Sequence, residues 1–551
     1  MQYGNLHGAF TADARAWWTF VAMAQRFSKL RETELRSRLF EHLDGLALCG
    51  VLPPVVERGV LEEVLEAGGD VDDLADGYSA NPGYLNVALR MCASQGLLRV
   101  SRADDRVFYR ANPEGAWEAW LGVVEAYGAG RQWLMHAEGL WNRTTEPLED
   151  AARAELEAAL DAWAALDPDH PVAGKVRTHL EGAVAAPWLV AVGFAHGTAP
   201  VRDAAACGRV VRSFHPTVED AWHRVAVALG WEAGGELTAT GEFFVARAAA
   251  YGVTASYIRT LIWSEELVFG DGHHLWRVAP GDSEIHVDRT LNVWGSGGAH
   301  GAYFRFLDEV VERIFNAPID EQPAGICDMG CGNGALLLHL EHVVRTRTVR
   351  GQVLDIHPLK LVGADFNQEA LVATAAHFAQ LGVRGNFLKG DIGDPDSLAV
   401  DLWELHGLRL SDMLNVRSFL DHNRIFNRPV SERPRLPMGT GAFAFRGERL
   451  LLRDVEQSLL EHFLKWAPYV AQHGLLVIEL HTVTPTQAAE RLGAMPATAY
   501  DATHGLTDQY IVEIPVFDAL AGEAGLEIVE VSSRTFPERL PATVSLRYFL
   551  A

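Results

Sequence analysis

Several things are scarce in this sequence, and each scarcity narrows what the chain can be. Cysteine is one: Cys49, Cys92, Cys207, Cys327 and Cys331 are odd in number and scattered over 551 residues. Two of them fall inside a glycine turn, where a ligand is expected rather than a disulfide. That pattern predicts reduced thiols and a cytoplasmic protein. Positive charge is also scarce. With 47 Lys and Arg against 72 Asp and Glu, the net charge is −25, which argues against nucleic acid as the main partner. No basic start followed by an apolar segment is present, so no secretory signal is read. No run of 18 apolar residues occurs, so no membrane span is expected.

What is present is a chain too long for one domain, with an ordinary apolar fraction of 48%. Its most informative stretch is Gly325-Ile326-Cys327-Asp328-Met329-Gly330-Cys331-Gly332-Asn333-Gly334, followed by Ala335–Leu340. It reads as a buried strand, a tight turn and an amphipathic helix. Glycines at 330, 332 and 334 permit positive φ and close approach of a ligand. The helix start supplies free N–H groups and a positive dipole end. The spacing is neither the dinucleotide fingerprint nor a P-loop.

A second strand, Leu361–Asp365, ends in an acid 37 residues after Asp328, against about 20 in comparable nucleoside-binding units. An insertion around residues 343–358 accounts for the excess. Phe366 follows. A third strand ends in Gly390-Asp391-Ile392.

With these three motifs in order, residues 325–551 resemble a class I S-adenosylmethionine-dependent methyltransferase. The resemblance implies an α/β, Rossmann-like domain with a seven-stranded sheet. It assigns Asp328, Gly330, Gly332 and Gly334 to the first cofactor motif, Asp365 and Phe366 to the ribose side, and Asp391 and Ile392 to the adenine side.

Upstream, residues 32–110 read as helices followed by a hairpin, a winged-helix outline. The helix around Asn81–Cys92 carries only Arg90 as a base, so packing or subunit contact is favoured over DNA binding. Residues 1–31 are read as a docked helix bearing Trp17, Trp18 and Phe20. Residues 113–215 are Ala-rich helices. A second winged copy is expected later, with Leu267–Phe269 and Leu275–Val278 flanking the hairpin signal Asp271-Gly272. Residues 288–300 are glycine-rich and are expected to form a lid loop. The domain division is thus 1–112, 113–287 and 288–551, with a mainly α N-terminal region.

In the catalytic half, the fourth strand, Asp412–Val416, leads into Arg417-Ser418-Phe419-Leu420-Asp421-His422. The fifth, Gly474–Leu480, ends at His481. Ligands of open α/β sheets bind at that edge. His422 and His481, with Arg417 and Ser418, are therefore the catalytic candidates, and Arg417 and Arg424 are expected to orient substrate. His422, His481, His504 and Gln509, with Asp421, could also converge on Fe(II) or Mn(II). Three readings stay open: a Lewis-acid metal on a carbonyl substrate, a metal-free base, or plain hydrogen bonding.

Residues 412–424, 292–300 and 504–510 are similar to the C-methyltransferase domains of polyketide synthases, including a metal-dependent subgroup. The Asp421-His422 pair is similar to iron-dependent 2-oxo acid C-methyltransferases. The likeness implies C-methylation of an anionic β-carbonyl acyl group or 2-oxo acid in natural-product biosynthesis, on a small molecule or a carrier-protein-bound acyl substrate. O- or N-methylation of a small molecule is the alternative, and a cofactor-sensing winged-helix regulator a further one. Between Arg409 and Arg453, nine arginines face four acids, which also suits an anionic substrate.

Overall fold

The computed structural model describes the backbone of residues 9–551 except 198, 279–283, 432–436 and 539–540; side chains of 9–28 and 298–302 are also outside the description. The expectation for the Trp17, Trp18 and Phe20 side chains therefore lies outside the described residues.

The N-terminal region is helical. Its first helix, Ala9–Glu57, packs along Pro171–His196. The segment Lys29–Glu57 is long and apolar enough to cross a membrane, contrary to the expectation from apolar runs, but 83% of its most apolar window is buried inside the protein. Its apolar length is that of a core helix. The winged outline at 32–110 is present. The wing is the hairpin Leu98–Ala103 with Arg106–Ala111, joined by Gly69–Asp70 in a three-stranded sheet.

The helix before the wing, Pro82–Ser94, is buried from Gly83 to Ser94. Arg90, its one basic residue, donates from Nε to Asp501 at 2.9 Å and from Nη2 to Val483 O at 2.8 Å. The helix is thus clamped onto the C-terminal half.

Two sequence expectations fail in this region. Leu267–Phe269 and Leu275–Val278 do not pair: the first lies in the helix Ser264–Phe269, and His274–Trp276 is a 3₁₀ turn. The short hairpin nearby is Glu232–Ala233 with Glu236–Leu237. Residues 289–300 are not a loop either. They begin the helix Arg289–Phe315, capped by Asp288, whose carboxylate accepts from Leu291 N at 3.0 Å. Glycine serves close packing here rather than flexibility. A Cβ on Gly252 would lie 2.7 Å from Gly295 Cα, so the two helices cross backbone to backbone.

The C-terminal half is built on one mixed sheet, with a separate hairpin of Phe443–Phe445 and Glu448–Leu450. The strands of the sheet are β1 Gly325–Met329, β2 Lys360–Asp365, β3 Asn386–Lys389, β4 Met413–Ser418, β5 Leu475–Leu480, β6 Glu527–Ile528, β7 Arg534–Phe536 and β8 Val544–Leu550. The order is β3-β2-β1-β4-β5-β8-β6, with β7 added on β8. The first five are parallel, and β8 runs antiparallel beside β5. This is the expected seven-stranded path plus one short strand. Apolar clusters cover both faces, one around Val362, Phe463 and Trp466, the other around Leu337, Leu414 and Leu476. Strands buried on both faces read as near-continuous apolar runs, as β1 and β5 do apart from Asp328 and Glu479. The order reverses at β1, which places a crevice at the carboxyl ends of β1 and β4.

Candidate active site

A cavity of about 2340 Å³ lies over that crevice, between the carboxyl edge of the sheet and the N-terminal helices. The turn after β1 forms one wall. Gly330, Gly332 and Gly334 have φ of 70°, 55° and 75°, a region that disfavours side chains. Leu420, from the loop after β4, packs directly on Gly330. Gly332 N donates to Asp365 Oδ2 at 3.0 Å, which ties the β1 turn to the end of β2. Asp328, Gly330, Gly332, Asp365, Phe366, Asp391 and Ile392 all line the cavity, whereas Gly334 caps the helix Ala335–Arg347.

Asp328 is the most informative of these. It is 1% exposed, and its Oδ1 has no hydrogen-bond partner among the described residues. Burial, helped by the charge of Asp365, pushes its carboxyl up to about 8. A buried carboxylate in this state calls for a cationic donor. The ammonium end of S-adenosylmethionine would supply one, with Asp365 beside it for hydroxyls, so these residues fit that cofactor.

The second wall comes from β4 and β5. Phe419 turns the chain with φ of 55° and donates from its N to Ile478 O at 2.7 Å. The turn brings His422 into the cavity wall. Its Nδ1 stands 2.5 Å from Glu479 Oε1. Glu479, 1% exposed on β5, also accepts from Asp421 N at 2.7 Å and Leu480 N at 2.7 Å. The carboxylate thus fixes the imidazole tautomer and leaves Nε2 as the other ring nitrogen. Glu479 was not singled out in the sequence. The available signal was a lone acid inside an otherwise apolar strand.

The third wall is the end of the helix Ala497–Gly505 and the segment after it. His504 has Nδ1 2.8 Å from Tyr500 O, and its ring stands 5.1 Å from that of His422 at 70°. Burial, with His422 nearby, pushes His504 down to about 3, so it is neutral at physiological pH. Gln509 donates from Nε2 to Tyr257 Oη at 3.1 Å and Thr507 Oγ1 at 2.9 Å, which leaves its Oε1 as the free acceptor. Ser418 lines the cavity with a buried Oγ that has no partner among the described residues.

Several expected site residues lie elsewhere. His481 is fully buried, with Nδ1 3.0 Å from Val512 O and Nε2 2.8 Å from Ser545 Oγ. Both nitrogens are engaged by the fold, so it is neither ligand nor base. Arg417 does not line the cavity. It is buried behind the wall, 2.5 Å from Asp421 and stacked 4.1 Å over Trp466. Asp421 points the same way, which removes it from any ligand set. Arg424 does line the cavity; its Nη1 donates to Asp421 O at 2.9 Å and its Nε has no partner among the described residues. The other arginines of that window mostly meet acids, including Arg449 with Asp72, Arg453 with Asp105 and Arg446 with Asp508. Two of these pairs, Arg449 with Asp72 and Arg453 with Asp105, join the two halves of the chain.

Among the described residues, no three His, Cys, Asp or Glu side chains are placed to hold a metal ion. Two imidazoles, His422 and His504, and the Gln509 amide line the same cavity.

Residues 284–547 match the AprA MT2-like domain family, residues 35–100 the AprA N-terminal domain and residues 181–271 the AprA winged helix domain. Over residues 284–547 the chain is similar to the AprA MT2-like methyltransferase domain. The chain is an S-adenosylmethionine-dependent methyltransferase. The winged-helix match covers the stretch around the hairpin at 232–237, upstream of the hairpin expected from the sequence. No curated protein matches the chain.

Solved structures similar to the methyltransferase include the mitomycin 7-O-methyltransferase MmcR, 13% identical over 98% of this chain and 99% of that one, with a TM-score of 0.29. An O-methyltransferase family 2 protein from Planctomyces limnophilus is 10% identical over 94% and 95%, with a TM-score of 0.36. The CurJ carbon methyltransferase is 12% identical over 96% and 99%, with a TM-score of 0.31. At such scores a likeness carries no function across.

Proposed function

We propose that the methyltransferase methylates a carbon made acidic by a neighbouring carbonyl, in an anionic β-carbonyl acyl group or a 2-oxo acid of natural-product biosynthesis. The substrate is either free or bound to a carrier protein. The observation that supports this reading is the His422–Glu479 pair in the wall of the cavity that Asp328 and Asp365 also line. When bound, the cofactor supplies an electrophilic methyl group on sulfonium sulfur.

The chain's own residues would do the rest. His422 Nε2 removes the proton from the substrate carbon, and Glu479 steadies the resulting imidazolium. The C–H electron pair becomes the enolate, whose carbon forms the new bond to methyl as the methyl–sulfur bond breaks. Arg424, which lines the same cavity, is a cation for an anionic substrate group.

A metal-assisted version rests on His504 and Gln509. With His422 on the adjoining wall they offer two imidazoles and an amide, a donor set suited to Fe(II) or Mn(II). Such an ion would polarise a substrate carbonyl, and Glu479 would then orient a ligand rather than a base.

The test uses methyl-labelled S-adenosylmethionine with a β-oxo acyl thioester, a 2-oxo acid and a phenol, read by mass spectrometry. Labelled β-oxo or 2-oxo product, lost in His422→Gln, supports the reading. Transfer to the phenol alone refutes it. Elemental analysis, with a chelator added to the assay, decides the metal.

A further inference from the structure

Behind the wall that carries His422 and Arg424 lies a cluster that touches no part of the cavity. Arg417, at the end of β4, is fully buried; its Nη1 is 2.5 Å from Asp421 Oδ1. His462, on the helix Leu452–Val470, places Nε2 2.9 Å from the same oxygen and 3.2 Å from Arg417 Nη1. Trp466 of that helix covers the guanidinium. A buried ion pair of this kind contributes little stability over apolar residues of equal size. What it does here is visible in the Asp421 backbone.

The two peptide groups flanking Asp421 make two contacts that reach the site. Its N–H donates to Glu479 Oε2 at 2.7 Å, and its carbonyl accepts from Arg424 Nη1 at 2.9 Å. The next N–H, of His422, reaches the same Glu479 oxygen at 3.3 Å. The direction of the carboxylate that holds His422, and of the guanidinium beside it, therefore depends on where this backbone sits. The side chain that anchors it is Asp421.

We infer that Arg417, Asp421 and His462 are positioning residues for methyl transfer: the buried charge cluster pins the turn so that Glu479 and Arg424 are aimed by its backbone. This rests on His422 being the working group. The charged and titratable groups around Asp421 are Arg417 on β4, His462 on the helix, Glu479 on β5, and Arg424 and His422 on its own turn. Cys327 of β1 lies close enough to Arg417 to interact electrostatically with it.

Two readouts test it: turnover of acetoacetyl-N-acetylcysteamine, and the imidazole N–H proton resonance of His422, assigned by its loss in His422→Gln. Asp421→Asn should lower kcat at least about tenfold, since small misplacements of reacting groups are costly, with KM and cofactor affinity within about twofold. The His422 resonance should shift. Unchanged kcat and an unshifted resonance in Asp421→Asn, beside an inactive His422→Gln, overturn the inference alone. Should Asp421→Asn fail to fold, His462→Gln decides, because it keeps the Arg417–Asp421 pair: a shifted resonance with reduced kcat supports the inference, and an unshifted one overturns it. Full activity in His422→Gln removes the premise and the inference with it.

Discussion

His422 and Glu479 are 57 residues apart in sequence and 2.5 Å apart in space, joined across the ends of β4 and β5. The carboxylate is fully inside, and the turn after β4 is folded around it. Glu479→Gln should keep the shape but lose the charge that steadies a protonated imidazole. The expected result is a fall in kcat of about 10²-fold or more, the range for a general base. Cofactor affinity, measured by calorimetry, should stay unchanged.

With Asp328 as the partner of the cofactor's ammonium group, cofactor binding should depend on pH. Its carboxyl, pushed up to about 8 by burial and by Asp365, is protonated in the ligand-free chain at neutral pH. The cofactor's amino group titrates at about 8 as well. One proton is wanted between them. Below that pH binding must release a proton, and above it binding must take one up. Calorimetric affinity should therefore peak near pH 8 and fall on both sides, and Asp328→Asn should flatten the acidic limb and weaken binding.

Arg90 and Asp501 clamp the winged helix to the catalytic half. Both are buried, so removing one leaves the other uncompensated, at about 3–5 kcal/mol. Arg90→Met and Asp501→Asn should each lower the melting temperature sharply. The double variant should recover part of the loss. Because the same helix is covered along its length, a labelled duplex at physiological salt should show no nanomolar binding.

His481 and His504 are held neutral, both pushed down to about 3, chiefly by burial. Their folded values lie below the unfolded one near 6.5, so the unfolded chain binds more protons in between. The stability they contribute is present above pH 6.5 and is lost as pH falls towards 3. Melting temperature should drop across that window. His481→Gln should lower stability and leave the metal content and kcat of the folded fraction unchanged.

The cofactor half was legible because its chemistry is local. Positive φ at three glycines, an acid at a strand end and an apolar β strand are all written in consecutive residues. The placement of the wall that carries His422 was half legible. His422 and His504 follow from their places at one sheet edge. His481 sits at the same edge, yet it is consumed by Val512 and Ser545, which depends on how β8 pairs with β5. Arg417 was misread for a related reason: alternation along β4 does not say which face meets Trp466 and His462, and Asp421, in the turn beyond β4, joins the same cluster. The glycine-rich run at 288–300 reads as a loop from composition alone, because the partner that rewards small residues, Gly252, lies in another helix.

The central claim is a carbon–carbon bond made with His422 as base. Its most direct test is ¹³C NMR of the product formed from [methyl-¹³C]-S-adenosylmethionine and acetoacetyl-N-acetylcysteamine. The account predicts a methyl signal coupled to the carbon between the two carbonyls, absent with His422→Gln. A signal from methyl on oxygen or nitrogen, or one undiminished in that variant, would contradict it.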